Sequence, residues 1–551
     1  MQKLETMEEN YILSLDIGTT TIRAFIYNSH TEIVAKAADH VILHYPQAGF
    51  VEIDPDELWN SVVDVIKKAL NCAKLNAEQI TAMGISTQRS TFITWSRETG
   101  KPFHRFITWK DLRADKLVKY WNESYFWKFI KVGAYVLFMV SRSKRFKAGS
   151  VFKFSNNQTT LRLYWALLNV PELKSAVDRN DAMFGTLDTW LLYKMTDKKI
   201  HMTDVSSASA TGFFDPFTMQ WAGWAMSIFN IPIQMLPTVV DTAGDHFTST
   251  AKEIWGHEIP IKSCIADQTA SMWGSCCFNI GDVKLTMGTG TFFNINTGSS
   301  PHASVSGLYP VVGWRLGSEI VFTAEGANND TASIIKWAHN LGLFENPEDT
   351  ADIAMSVPDS DGTFFIPAFS GLGPPYNDCS AASGFVGMKP STNKAHLVRA
   401  VLEAIAFRTA QLYECVRNET NYTFTTIRSE ASCYSMDGGV SNNDFVAQLV
   451  ADLTGLKVER PTQVEMSSLG CAHLVGLTLG IFKSKDELKS LRKMGRVFTP
   501  RAHIKKSYDV IISRWEDAVR RMCGWYIDKS SHSISDSVTP QNSFKMSKNS
   551  K

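Results

Sequence analysis

Asp267 and Gln268 close the apolar run Ile265-Ala266 and open a small-residue stretch beginning Thr269-Ala270. An aspartate in that position either caps a helix or acts as a general base, taking the proton from a hydroxyl whose oxygen attacks phosphorus. Groups suited to phosphate occur twice elsewhere, as Asp16-Ile17-Gly18-Thr19-Thr20-Thr21 and Met287-Gly288-Thr289-Gly290-Thr291, each between strand-like apolar runs. Glycine lets a backbone approach closely, and successive N–H groups and threonine hydroxyls converge on an anion. One such turn alone reads as an ordinary hairpin. Two, far apart in the chain, read as the halves of one phosphate clamp. Neither is followed by Gly-Lys-Ser/Thr, so neither is a Walker loop.

Two further polar groups stand at the ends of apolar runs. Met436-Asp437-Gly438-Gly439-Val440-Ser441-Asn442-Asn443 precedes the helical pattern Phe445, Leu449, Leu453. It reads as strand, glycine turn and helix start, either a well-capped helix or a close approach for a flat ligand. Ser86-Thr87-Gln88-Arg89 follows Met83-Gly84-Ile85, with Trp95 and Trp109 downstream. An arginine near aromatic residues is ordinarily a packed surface pair; it can also donate to a polyhydroxylated substrate while indole covers carbon.

The elements that must position these groups alternate in a regular way. Short β-rich segments, Arg23 to Tyr27 and Glu32 to Lys36, suggest an antiparallel meander after the first turn. Asp54-Pro55-Asp56-Glu57 starts a helix with an apolar stripe through Trp59, Val62, Val63 and Ile66. The same order recurs from Gly281, with a later helix over Leu397 to Tyr413, so the chain reads as a duplicated α/β architecture. With 551 residues it exceeds a single core, which stops growing near roughly 250 to 300 residues. Two domains are expected, 11–276 and 277–528, followed by a polar tail, 529–551, expected to be disordered.

A formal charge of +1 leaves no electrostatic footprint for nucleic acid. The polar start, Met1 to Asn10, lacks the apolar segment of a secretory signal, and the nine cysteines are scattered without a Cys-x-x-Cys pair. A cytoplasmic protein with reduced cysteines is expected, with room for a homo-oligomer. Residues 126–140 are strongly apolar and are followed by Arg142, Lys144, Arg145 and Lys147. Fifteen residues of helix span about 22 Å, less than the hydrocarbon core of roughly 30 Å, so a transmembrane span is not expected. A buried or partner-facing helix is the favoured reading of 126–147, with contact to a membrane surface as the alternative.

Eight segments stand in the order seen in glycerol kinases of the FGGY carbohydrate kinase family. They are Leu15-Asp-Ile-Gly-Thr-Thr-Thr-Ile-Arg-Ala24, Gly49-Phe-Val-Glu-Ile-Asp-Pro55, Gly84-Ile-Ser-Thr-Gln-Arg89, Phe184-Gly-Thr-Leu-Asp-Thr-Trp190, Ala266-Asp-Gln268, Met287-Gly-Thr-Gly-Thr291, Pro367-Ala-Phe-Ser-Gly-Leu-Gly-Pro374 and Asp437-Gly-Gly439. The resemblance covers roughly residues 11 to 526, and details such as Thr87 to Trp95 and Lys389 to Thr392 resemble a divergent animal branch.

It implies two ribonuclease H-like domains of the actin, hexokinase and Hsp70 type around a cleft where ATP with Mg2+ meets a small polyol such as glycerol. It further implies that Asp16 holds magnesium through water, with Asp267 as a second carboxylate at the metal and as the base. Arg89, Trp109, Asp267, Gln268 and Phe292 are implied to surround the substrate. Thr19, Thr20, Thr21, Arg23, Gly288, Thr289 and Gly290 are implied to line the phosphates, and Ala332, Lys336, Gly438, Gly439 and Asn442 to complete the nucleotide site.

The match is incomplete at the substrate. The family follows Gln-Arg with Glu where this chain has Ser90, and its substrate tyrosine falls on Asn157 or, with a gap, Phe154. In the segment from Glu325 to Lys336, a family glycine and glutamine are Ala332 and Lys336. Losing a charged acceptor removes about 1.5 to 3 kcal/mol of hydrogen bonding. The resemblance therefore implies an ATP-dependent glycerol kinase, with a kinase for another small polyol or sugar, or a nucleotide-binding pseudokinase or scaffold, as alternatives.

Overall fold

The structure, a computed structural model, describes residues 9–288, 290–304, 306–328, 330–420, 422, 424, 426–430, 440, 442–463 and 465–526. Thr289, Gly438, Gly439 and the tail 529–551 lie outside the described residues.

Tyr11–Ile17, Thr21–Tyr27 and Ile33–His40 form the expected antiparallel meander. Ile80–Thr87 then pairs parallel to Tyr11–Ile17, and Ile261–Ala266 pairs parallel to Ile80–Thr87. Both faces of the sheet are covered, which is why its parallel strands are buried almost throughout rather than at alternate residues.

The second half of the chain repeats this order. Val283–Met287, Thr291–Gly298 and Glu319–Asn328 are the meander, and Thr426–Glu430 and Lys457–Pro461 add in parallel on the other side. Tyr309–Leu316 and Met494–Phe498 extend its two edges, giving seven strands against five.

Helices cover each sheet. Asp54 caps Pro55–Ala73 by accepting from the Asp56 and Glu57 amides. The face it buries is Leu58, Val62, Val65 and Ile66, about a residue away from the expected stripe, because Trp59 and Val63 lie at the edge of the contact. The segment 49–55 is held by Arg113, which binds Asp111 and Glu52 and stacks over Phe50 at 4.3 Å.

In both halves a helix follows the fifth strand of the repeated order, Asp267–Gly274 in the first and Met466–Thr478 in the second. The two helices pack on one another at their glycines. A Cβ at Gly470 would stand 1.8 Å from the Ala270 carbonyl oxygen, and one at Gly274 would stand 2.1 Å from that of Met466. Backbones this close admit no side chain, and this contact joins the halves.

Of the readings expected for the helix Tyr125–Ser141, burial is excluded, which leaves a partner-facing or membrane-surface helix. Only Trp127 is buried, packed against Phe152, Phe154 and Trp224. No helix among the described residues is long and apolar enough to cross a membrane.

Candidate active site

Three parallel strands of the first half end side by side, at Ile17, Thr87 and Ala266. Ligands of open α/β sheets bind outside such carboxyl ends. Asp16, Arg89 and Asp267 stand there, each carried by the end of a different strand.

Asp267 is the first residue of its helix and not the cap, which is Ala266. Its Oδ1 accepts from the Gln268 amide at 2.7 Å and lies 3.6 Å from Arg89 Nε, and its side chain keeps 26% exposure. Burial by the surrounding protein pushes its carboxyl up to about 6, against the pull of Arg89 and the Gln268 N–H, while Asp16 adds to the rise. The strand end is fixed from behind, where the Ala266 amide donates to Ser206 Oγ at 2.9 Å and Ser206 in turn donates to buried Asp204.

Asp16 is buried, and its Oδ2 lies 3.0 Å from Arg23 Nη2 with no hydrogen-bond partner. Arg23 also binds Glu465 at 2.7 Å, so it neutralises two carboxylates at the base of the cleft. At the first glycine-threonine turn, Gly18 N–H closes the turn on the Thr21 carbonyl, and Gln88 Nε2 holds the Gly18 carbonyl at 3.0 Å. Trp109 Nε1 donates to Thr19 Oγ1 at 3.0 Å, which ties that indole to the first glycine-threonine turn. Thr20 is exposed and Thr21 is buried.

The second turn meets a helix start. Gly288 N–H donates to the Gly290 carbonyl, and the Gly288 carbonyl accepts from Ala332, the first residue of Ala332–Asn340. Ala332 is thus buried with its amide engaged, whereas Lys336 is exposed on the same helix. Buried Asp330 pins the Ser370 segment there through the Ser370 amide and hydroxyl. Asn442 is exposed, and its neighbour Asn443 caps Asp444–Thr454 through Val446 N–H.

Facing Arg89 is a residue to which the sequence reading gave no role. Glu325 opens the segment compared with the nucleotide site, yet both of its oxygens lie 2.7 Å from Arg89 Nη2, across the cleft. Asn294 Nδ2 donates to the same carboxylate at 2.7 Å. Glu325 pairs with Tyr309 on one side and Asn294 on the other, and Asn294 with Lys284, so these four residues form one cross-strand row of the second sheet. Lys284 Nζ donates to Gln268 Oε1 at 2.8 Å. Phe292 lies on the neighbouring row, opposite Ala327 and Thr286. Burial opposes the Arg89 charge, but Glu325 and Asp267 more than compensate and move its pKa up.

Ser90 offers the cleft nothing. It adopts a left-handed φ of 60° and donates its hydroxyl to the Ala210 carbonyl. Phe154 lies among Trp121, Trp127, Trp224 and Phe229, and Asn157 is exposed with its carbonyl bound by Arg162. Arg162 was invisible to motif reading. Fully buried in Thr159–Asn169, it donates to the carbonyls of Ser90, Ile107, Thr108, Asn157 and Gln158, and so fixes the segments bearing Arg89 and Trp109. Burial pulls its pKa down to about 9.

Comparison with known proteins identifies the family. The model of the FGGY family of carbohydrate kinases, N-terminal domain, matches residues 11–274, and that of the C-terminal domain matches 283–479. The chain is 48% identical to "Glycerol kinase 5" of Danio rerio over 523 residues, 94% of this chain and 97% of that protein. It is 36% identical to "Glycerol kinase 2" of Thermotoga maritima, over 94% and 99% of the two chains. The structure superposes on Plasmodium falciparum glycerol kinase with ADP at a TM-score of 0.81 and 28% identity, covering 93% and 98%. The chain belongs to the FGGY family of carbohydrate kinases.

Proposed function

We propose that the protein transfers the γ-phosphate of ATP to a terminal hydroxyl of glycerol, giving sn-glycerol 3-phosphate. The observation that carries this reading is the trio of Asp267, Arg89 and Glu325, in which one guanidinium spans a base on one half of the molecule and a carboxylate on the other. Arg89 donates to substrate oxygens and Glu325 accepts from a hydroxyl, the part that Ser90 does not play. Trp109 and Phe292 flank the carbon chain. Asp267 takes the proton as the hydroxyl attacks; with its carboxyl near 6 it is ionised at neutral pH and still basic enough for the task.

The phosphates are met by Thr19 and Thr20 on one side and by the turn beginning at Gly288 on the other, and closing the halves keeps water from the transferring group. Asp16 and Asp267 suit Mg2+ carried by the nucleotide, since that ion takes one or two carboxylates together with phosphate oxygens and water. The buried Asp16 Oδ2, ion-paired with Arg23 but accepting no hydrogen bond, fits this role. Bound there, the ion neutralises phosphate charge.

A polyol and sugar panel in an ADP-coupled assay, run beside Asp267→Asn, tests the reading. Glycerol is expected to give the highest turnover, and Asp267→Asn to lower it by roughly a hundredfold to ten-thousandfold with an unchanged fold. Faster turnover on another polyol would reject glycerol; undiminished activity in Asp267→Asn would reject the base.

A further inference from the structure

The helix Tyr125–Ser141 exposes a set of large apolar side chains found on no other element among the described residues. Tyr125, Phe129, Val132, Val136 and Val140 are 90%, 75%, 61%, 55% and 83% exposed. Their spacing of four, three, four and four residues sets them on one helical stripe. Phe126, Leu137, Tyr135 and Met139 widen it on both sides and are about half exposed. The opposite face is occupied by the protein itself, through Trp127 and Ile130.

The chain that forms this arc is cationic. From Ser124 to Phe154 it has no Asp or Glu, and it carries Lys128, Lys131, Arg142, Lys144, Arg145, Lys147 and Lys153. Arg145 binds Asp215 at 2.6 Å and Lys144 donates to Ser300, which ties the helix and its successor, Lys144–Val151, to the body. Lys128, Lys131 and Lys147 instead line an apolar groove floored by Val132, Tyr135, Phe138 and Val151. Burial and the nearby Lys153 pull the Lys131 pKa down, as expected of cations gathered without a counter-anion.

We propose that this helix is a docking element for the surface of an anionic phospholipid bilayer. The apolar stripe enters the boundary between headgroups and acyl chains, and the lysines meet lipid phosphates and carboxylates. Non-obligate protein interfaces, taken whole, are only about as apolar as ordinary surface, with polar groups to pair. This arc offers nothing polar beyond two tyrosine hydroxyls and Lys128, which favours hydrocarbon, and its cationic rim complements anionic lipid. Seventeen residues lying in the plane of the interface give a reversible attachment, distinct from the catalytic cleft.

The full chain is tested by flotation with vesicles of phosphatidylcholine alone and with vesicles in which part of it is replaced by phosphatidylserine. Binding to the mixed vesicles is expected to be roughly tenfold or more tighter, and to weaken as salt is raised. The double variant Phe129→Glu, Val136→Glu is expected to lose flotation while keeping its melting temperature and its ADP production, since both side chains face solvent. Lys128→Gln with Lys147→Gln is expected to lose the preference for phosphatidylserine. The proposal is overturned if the full chain fails to float, or if the charged variant floats as well as the parent. It is equally overturned if the parent is a dimer that the charged variant dissociates and that vesicles leave untouched, because a second copy then covers the stripe.

Discussion

The two halves of this chain share a strand order and place different residues at its equivalent points. In the first half, the first strand ends Asp16-Ile17 before its turn, and the helix after the fifth strand begins with Asp267. In the second half the same places hold Thr286-Met287 and Met466. The acid beside that second helix start, Glu465, binds Arg23 of the first half. The two halves thus share a frame, while the acids at these two positions stand in the first half alone. What the second half contributes is lateral: the row Lys284, Asn294, Glu325 and Tyr309, which reaches the substrate side through Gln268 and Arg89. A cleft between such halves is assembled only when both are in place, so chemistry and closure are linked.

This asymmetry predicts unequal effects at equivalent positions. Asp16→Asn is expected to reduce turnover by roughly tenfold to a hundredfold or more, with the loss eased by raised magnesium. Its counterpart Thr286→Ala is expected to change turnover by less than about threefold, and comparable losses at the two sites would break the comparison. Next in size, Glu325→Gln should raise the polyol KM by about one to two decades with a smaller change in kcat, as for the loss of a charged acceptor. A fall in kcat alone would assign Glu325 to closing the cleft rather than to holding substrate.

The interface helices, by contrast, should behave alike. Gly274→Ala and Gly470→Ala each force a methyl against a carbonyl of the facing helix, and each is expected to cost about 1 to 3 kcal/mol in chemical denaturation. A marked inequality would show that the contact is not symmetric in energy. Smallest is an effect of pH. The Asp267 carboxyl rises to about 6 in the folded protein, so it favours the fold below its unfolded pKa, and that contribution is lost as pH rises through 6. Asp267→Asn should therefore melt slightly above the parent on the alkaline side of 6 and lose that advantage in acid. A lower melting temperature at every pH would show that Arg89 depends on the carboxylate more than the carboxylate is strained by its surroundings.

Local patterns carried much of the fold. The meander after Gly18, the helix capped by Asp54 and the long helix now seen as Lys394–Glu419 were legible because caps, turns and apolar periodicity act within a few residues. Asp267 was legible as a strand-end acid for the same reason. Trp127 shows the limit: an apolar run of that length satisfies a buried helix and an exposed one equally, and only the packing of one indole against Phe154 distinguishes which face turns inward.

By itself the sequence determined a duplicated α/β chain, two glycine-threonine segments and an acid at a strand end. Tertiary structure alone decided that Glu325 opposes Arg89, that Ser90 turns to Ala210, and that Arg162 reaches the carbonyls of Ser90, Ile107 and Thr108. Each of those contacts joins residues far apart in the chain. Their energy depends on distance and burial in the folded molecule, which no local spacing encodes.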